Sequence, residues 1–196
     1  KVALLKVLSA TAVAEDIEWL ENIAAEKNQK VKEAAQYILK QLPASSIVQK
    51  YWAILQQTIL LKKEKVLLGL TTKTTLQIKL PVTIDDSIFT TGIEKLSNQK
   101  EISDDDFVIL QLIKSVTPTA WESHFSTGPE GVINFFQAQK STKEFLPAMI
   151  IAITRFKDQR WAFSFMQHSK TFYIDIIPLL PLQQQEFYSN KFFQGY

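Results

Sequence analysis

The sequence predicts an all-α protein in the main, interrupted by one small β-hairpin or extended insertion near 66–84. Two observations carry this reading. Apolar residues recur at helical spacing in segment after segment, whereas strict alternation is confined to Leu76, Ile78 and Leu80 around Gln77 and Lys79. The 196 residues also hold only five glycines, too few for a turn-dense all-β fold, while 46% hydrophobic content supplies a core and argues against disorder.

Taken in order, Val2–Leu8 reads as a helix lying against the next one. Ile17, Leu20 and Ile23 give a short stripe from about Asp16 to Ala25. Val31, Ala34, Ala35, Ile38, Leu39 and Leu42 then lay one stripe along a helix from Gln29 to Leu42, with Asn28 in the tight turn before it. Two helices joined by so few residues must run antiparallel. Past Pro43, Ser46 and Gln49 have capping-box spacing and open a helix burying Ile47, Tyr51, Ile54, Leu55 and Ile59, expected to reach Leu61 or beyond. The alternating run ending at Pro81 needs a partner, and Val66–Thr71 is the expected one unless the segment is an extended arm.

A short helix near Ile88–Leu96 and polar Ser97–Lys100 make the expected boundary between a first part, 1–98, and a second helical part, 99–196, packed on the first as one continuous array. Ser103 followed by Asp104, Asp105 and Asp106 reads as a helix start, because a cap and carboxylates suit the positive end of the macrodipole. Thr117-Pro118 and Gly128-Pro129 mark two more starts, and Ser141 with Glu144 reads as a capping box before the stripe Leu146, Met149, Ile150 and Ile153. Asp158 opens a helix burying Trp161, Phe165 and Met166. Phe172–Ile177 reads equally as helix or strand before Pro178 and Pro181. Lys1 opens directly into an apolar stretch and Phe192–Tyr196 is apolar for a free end, so the natural chain is expected to extend beyond both ends, or its tail to dock. No window reaches the length of about 18 consecutive apolar residues that spans a bilayer, so no membrane association is expected. With no cysteine the redox compartment is undetermined, and a cytoplasmic location is the default expectation.

Catalytic chemistry finds little support. With no cysteine there is no thiolate site, and only His124 and His168 leave little from which to build a zinc site. His124 stands next to Glu122 and could serve as a base, but a histidine at a helix C-terminus interacting with the end of its own helix is the preferred reading. Asp104–Asp106 lacks the alternating ligand spacing of a calcium loop. No catalytic residue, cofactor or metal site is expected.

The 22 basic residues against 20 acidic ones are 20 lysines and two arginines, giving no field that demands a polyanion. Lys62, Lys63, Lys65, Lys73 and Lys79 could form a basic patch toward a phosphate backbone, which keeps a nucleic-acid-associated role as the alternative. Base-specific readers rely on arginine, and Arg155 and Arg160 sit together in a stretch that includes Asp158, so nucleic acid is the weaker reading. Aromatic residues off the buried stripes offer something else. Trp19 and Trp52 stand beside the apolar seams, and the run from Trp161 through Phe163 to Met166 puts bulky apolar groups on more than one side of its helix, so Trp19, Trp52, Trp161 and Phe163 are the candidate partner-binding residues.

The helix carrying Ala34, Ala35, Ile38 and Leu39 and closing at Leu42-Pro43 resembles the second helix of a single HEAT repeat, so the architecture expected is an irregular HEAT-like helical array. More widely, this helix pair, Leu76–Pro81, and Val116-Thr117-Pro118-Thr119-Ala120-Trp121-Glu122-Ser123-His124-Phe125 together resemble a bacterial family of unknown function. Its members are typically encoded beside SWIM zinc-finger proteins, MoxR-type AAA ATPases and von Willebrand A-domain proteins. That resemblance implies an accessory role and a partner such as an AAA ATPase or a von Willebrand A-domain protein, and it brings no catalytic residue with it. The function expected is a noncatalytic protein–protein interaction scaffold or adaptor.

Overall fold

The computed structural model describes residues 1–66 and 71–194. It is mainly helical, with a single two-stranded sheet among the described residues. Its contacts divide the chain into two units, each assembled from two segments: 1–55 with 81–116, and 56–80 with 117–196. The expected boundary near residue 98 falls within the second segment of the first unit.

The first unit contains α1 (Val2–Leu8), α2 (Ile17–Ala24), α3 (Gln29–Leu39), the start of α4 (Ser46–Thr58) and α5 (Asp104–Ile113). The Asn28 side chain accepts the Val31 N–H and so starts α3 as its position in the turn requires. α3 packs against both α1 and α2, and Leu5, Leu20, Ala35, Ile38 and Leu39 are all buried. Ala35 matters because a small side chain lets the facing helix approach. The cap of α4 is Ser45, one residue before the expected Ser46: its hydroxyl accepts the Val48 N–H and donates to the Leu39 carbonyl at 2.7 Å. Ser45 is completely buried, so its hydroxyl joins the end of α3 to the start of α4 in one hydrogen-bonded joint. Gln49, the other half of the expected box, reaches instead to the Pro43 carbonyl.

The segment 81–116 is pinned onto this layer by polar contacts. Lys40 Nζ donates to the Thr91 carbonyl at 2.8 Å, and the Tyr51 hydroxyl lies 2.6 Å from Thr91 Oγ1. Gly92 follows with φ of 95°, a left-handed conformation that costs a glycine little. The helix expected over Ile88–Leu96 is only a 3-10 turn, Asp86–Thr90, started by the Asp85 side chain. Past it, Gln111 of α5 clasps Glu94 from both sides, accepting its N–H and donating to its carbonyl. Ser103 caps α5 as expected, accepting from the Asp106 N–H.

The second unit opens with the end of α4, which runs straight into β1 (Ile59–Val66), paired antiparallel with β2 (Thr71–Ile78). Two sequence expectations are corrected here. α4 stops at Thr58 rather than at Leu61, and the partner of the alternating strand is Ile59–Val66; of the expected Val66–Thr71, residues 67–70 lie outside the described residues. The reason is ambiguity of spacing: Ile59 continues the helical stripe of Ile54 and Leu55, yet Ile59 and Leu61 also alternate. The ladder decides, because the Thr58 carbonyl accepts the Lys79 N–H and Ile59 pairs with Ile78. Ile59 and Leu76 are buried on one face, whereas Leu60 on the other is exposed.

The rest of this unit is α6 (Thr119–Phe125), α7 (Pro129–Gln137), α8 (Lys140–Lys143), α9 (Leu146–Phe156), α10 (Gln159–His168) and α11 (Leu182–Gln194). Gly128-Pro129 starts α7 and Asp158 caps α10, both as expected. Thr117 does not cap α6; its hydroxyl meets that of Thr119 at 3.0 Å. The Ser141–Glu144 box is absent as well. Ser141 lies inside the one-turn α8, and the buried Thr142 donates to the Phe136 carbonyl at 2.6 Å, tying α8 to the end of α7. Phe172–Ile177 is neither α-helix nor strand: Ile174–Leu179 forms a 3-10 turn that contains Pro178 and buries Ile176 and Ile177. At the chain's apolar end, Phe192 and Phe193 belong to the last turn of α11, while Gly195 and Tyr196 lie outside the described residues.

Candidate functional site

Helix α6 carries the most specific motif in the sequence, and its seven residues point in three directions with different consequences. Trp121 and Phe125, four apart, share one face; their rings stack at 5.8 Å, and Trp121 also meets Phe136 edge-on. Both are buried, Trp121 to 1% exposure. Offset and edge-to-face contacts of this kind add about 0.5–1.5 kcal/mol beyond the area they bury. This apolar face is the hub of the second unit, since α7, which supplies Phe136, also touches α9, α10 and β2.

Glu122 faces α10. The Arg160 guanidinium forks onto it, Nη1 donating to Oε2 at 2.9 Å and Nη2 to Oε1, while the Trp161 indole Nε1–H donates to Oε1 at 2.8 Å. The hydrogen bond from Arg160 holds the Glu122 carboxyl below the usual carboxylate range, the indole assists and burial opposes; the same pairing raises Arg160. A carboxylate so engaged is a poor proton acceptor near neutral pH. Its chemistry is that of an anchor.

His124 takes the third direction. Its Nε2 lies 2.8 Å from the Ile59 carbonyl, so Nε2 carries the proton and donates to the first residue of β1. His124 lies in the last turn of α6, as expected, and this contact carries it beyond its own helix. The chain closes α6 with Ser126 in the left-handed conformation at φ of 52°. His124 and Glu122 are neighbours in sequence and engage different elements. His168, at the end of α10, has Nδ1 3.8 Å from Glu130 at the start of α7, and Gln137 clasps the chain beyond it by donating to the His168 carbonyl and accepting the Lys170 N–H.

The candidate partner-binding residues separate. Trp19 of α2 is 42% exposed. Trp52 and Phe163 are half-buried. Trp161 is completely buried and hydrogen-bonded to Glu122, so this ring belongs to the core and offers no surface, which removes it from the candidate partner-binding residues. Of the lysines, register places Lys63 and Lys65 on one face of the hairpin and Lys62 and Lys73 on the other, with Lys79 beyond the end of β2. The five are therefore not gathered on one face. Among the described residues no three His, Asp or Glu side chains are grouped to hold a metal ion, and no helix is long and apolar enough to cross a membrane.

Sequence reasoning missed the Glu122–Arg160–Trp161 network. The signal was the scarcity of arginine: where 20 of 22 basic residues are lysine, an arginine marks a place that needs a planar fork.

Neither the curated proteins nor the solved structures contain a match to this chain. A family pattern does match, over residues 1–195, and the motif helix just described lies within it. On that match, the chain belongs to the family of unknown function DUF5691.

Proposed function

We propose that this protein is a noncatalytic scaffold or adaptor that binds another protein through exposed helix faces, with a cytoplasmic location. The observation that supports this most is the apolar surface left on short helices of the first unit: Leu4 and Val7 of α1 are 60% and 71% exposed, and Trp19 of α2 is 42% exposed. Leu4 and Val7 stand three apart and so share a side of α1, whose single buried residue is Leu5. Isolated exposed apolar groups are ordinary; several on consecutive helices call for a cover. The motif residues support the same reading from the other direction, because Trp121, Glu122 and His124 are engaged in holding the second unit together rather than turned to a substrate. The resemblance noted above makes an AAA ATPase or a von Willebrand A-domain protein the partner to try first.

The test is affinity capture of the full chain from its native organism, quantified by mass spectrometry and repeated with Leu4→Ser and Val7→Ser together. A protein recovered in constant ratio to wild type and depleted in the double variant upholds the reading. Absence of any such protein contradicts it.

A further inference from the structure

Between Lys6 and Lys27 the chain has five carboxylates and no basic residue, and three of the five already have work within the fold. Asp16 accepts the Val13 N–H, Glu21 accepts the Ser46 N–H, and Glu26 pairs with Lys1 at 2.6 Å. Glu15 and Glu18 remain, and both are exposed. The 3-10 turn Ala14–Asp16 runs directly into α2, so Glu15, Glu18, Trp19 and Asn22 fall at i, i+3, i+4 and i+7 along one side. All four are exposed, while Leu20, on the opposite side, is completely buried. The helix dipole accounts for carboxylates at this end of α2. It does not account for an exposed indole beside them.

Resting on the scaffold reading above, we propose that this stripe of α2 receives an arginine-bearing segment of a partner protein, with the guanidinium stacked on the Trp19 indole and forked toward Glu15 or Glu18. Charge complementarity selects this occupant. An indole face attracts a cation, and arginine is the cation that can stack on a ring and donate to a carboxylate at once. Phosphate-bearing surfaces, whether nucleic acid or anionic lipid, meet two carboxylates and no basic side chain on the stripe and are repelled. A second copy of this chain is a poor source, because it has only two arginines and Arg160 is bound to Glu122.

The experiment uses the full chain labelled with nitrogen-15 and follows its indole N–H resonances, with Trp19→Phe identifying the one from Trp19. The probes are an amphipathic leucine-containing peptide with three arginines and the same peptide with glutamates in their place. The arginine peptide should shift the Trp19 resonance to saturation and the glutamate peptide should not. Glu15→Gln with Glu18→Gln should weaken the arginine peptide about tenfold, the loss expected when charge complementarity is removed from an aromatic anchor. An unchanged Trp161 resonance certifies that the variant is folded.

Equal affinity for the two peptides, an unmoved Trp19 signal, or undiminished binding by the double variant overturns the inference. So does a Trp19 signal that moves with protein concentration alone, which makes a second copy the occupant. Capture from the native organism separates this inference from the reading it rests on. A constant-ratio partner retained equally by the double variant removes the α2 surface and leaves the scaffold standing; no partner at all removes both.

Discussion

Replacing Glu122 by alanine tests whether the motif helix works as an anchor. The substitution removes the acceptor of a completely buried indole N–H and the partner of Arg160. An orphaned buried donor costs about 1–3 kcal/mol. The Arg160 side chain is 57% exposed, so the ion pair itself is screened and adds only about 0–1 kcal/mol. A loss of about 2–3 kcal/mol follows, which for a chain of this size lowers the melting temperature by roughly 4–12 °C. Glu122→Gln keeps a carbonyl to accept from the indole and should cost about 1 kcal/mol. The pH dependence has a definite sign. Because the folded carboxyl is held below its unfolded value of about 4.3, its contribution is fully present above that pH and is lost as pH falls through the folded value. The gap between wild type and Glu122→Gln should therefore be full at neutral pH, begin to narrow below about pH 4.3, and close as pH falls through the folded value. Thermal and urea unfolding, followed by near-ultraviolet circular dichroism, measures both effects. The reasoning is refuted if Glu122→Ala costs no more than an exposed control such as Glu18→Ala, expected within about 0.5 kcal/mol.

The remaining predictions concern local joints. Ser45→Ala removes a cap and a buried link to Leu39 together and should cost about 1–2 kcal/mol in urea unfolding, whereas Ser46→Ala should be nearly neutral. Lys157 closes α9 in the left-handed conformation at φ of 52°, so Lys157→Gly should stabilise by up to about 1 kcal/mol in the same assay, the reverse of the usual effect of glycine at a helix. His124→Ala should speed amide exchange at the Lys79 N–H, next to the Ile59 carbonyl it frees, without comparable change in α9. Changing Lys62, Lys63, Lys65, Lys73 and Lys79 to glutamine should leave partner capture intact; loss of capture together with steep salt dependence would favour the nucleic-acid alternative.

What the sequence made legible follows from how local each signal is. Asn28, Ser103, Gly128-Pro129 and Asp158 act within one helical turn and lie where their spacing places them. Ser46 and Ser141 fit the same pattern and do not cap, because a side chain bound elsewhere decides each case: Ser45 reaches back to Leu39, and Thr142 reaches back to Phe136. The end of α4 was illegible for a related reason. Ile59 serves a helical stripe and a strand equally well, and only pairing with Ile78, nineteen residues away, chooses between them. At the motif helix, the apolar role of Trp121 and Phe125 was visible in their spacing. The roles of Glu122 and His124 were not, since Arg160 and Ile59 are remote in sequence. The burial of Trp161 is illegible for the same reason: its indole acceptor, Glu122, lies 39 residues away.

The account stands most directly on whether this chain exists in the cell as part of a protein complex. Size-exclusion chromatography of native lysate, with the chain followed by immunodetection, measures this without tags or variants. The expected result is elution well above the monomer mass that denaturing electrophoresis gives for the same native chain, unchanged by nuclease and by moderate salt. Elution as a free monomer, or collapse of the larger species on nuclease treatment, would contradict it.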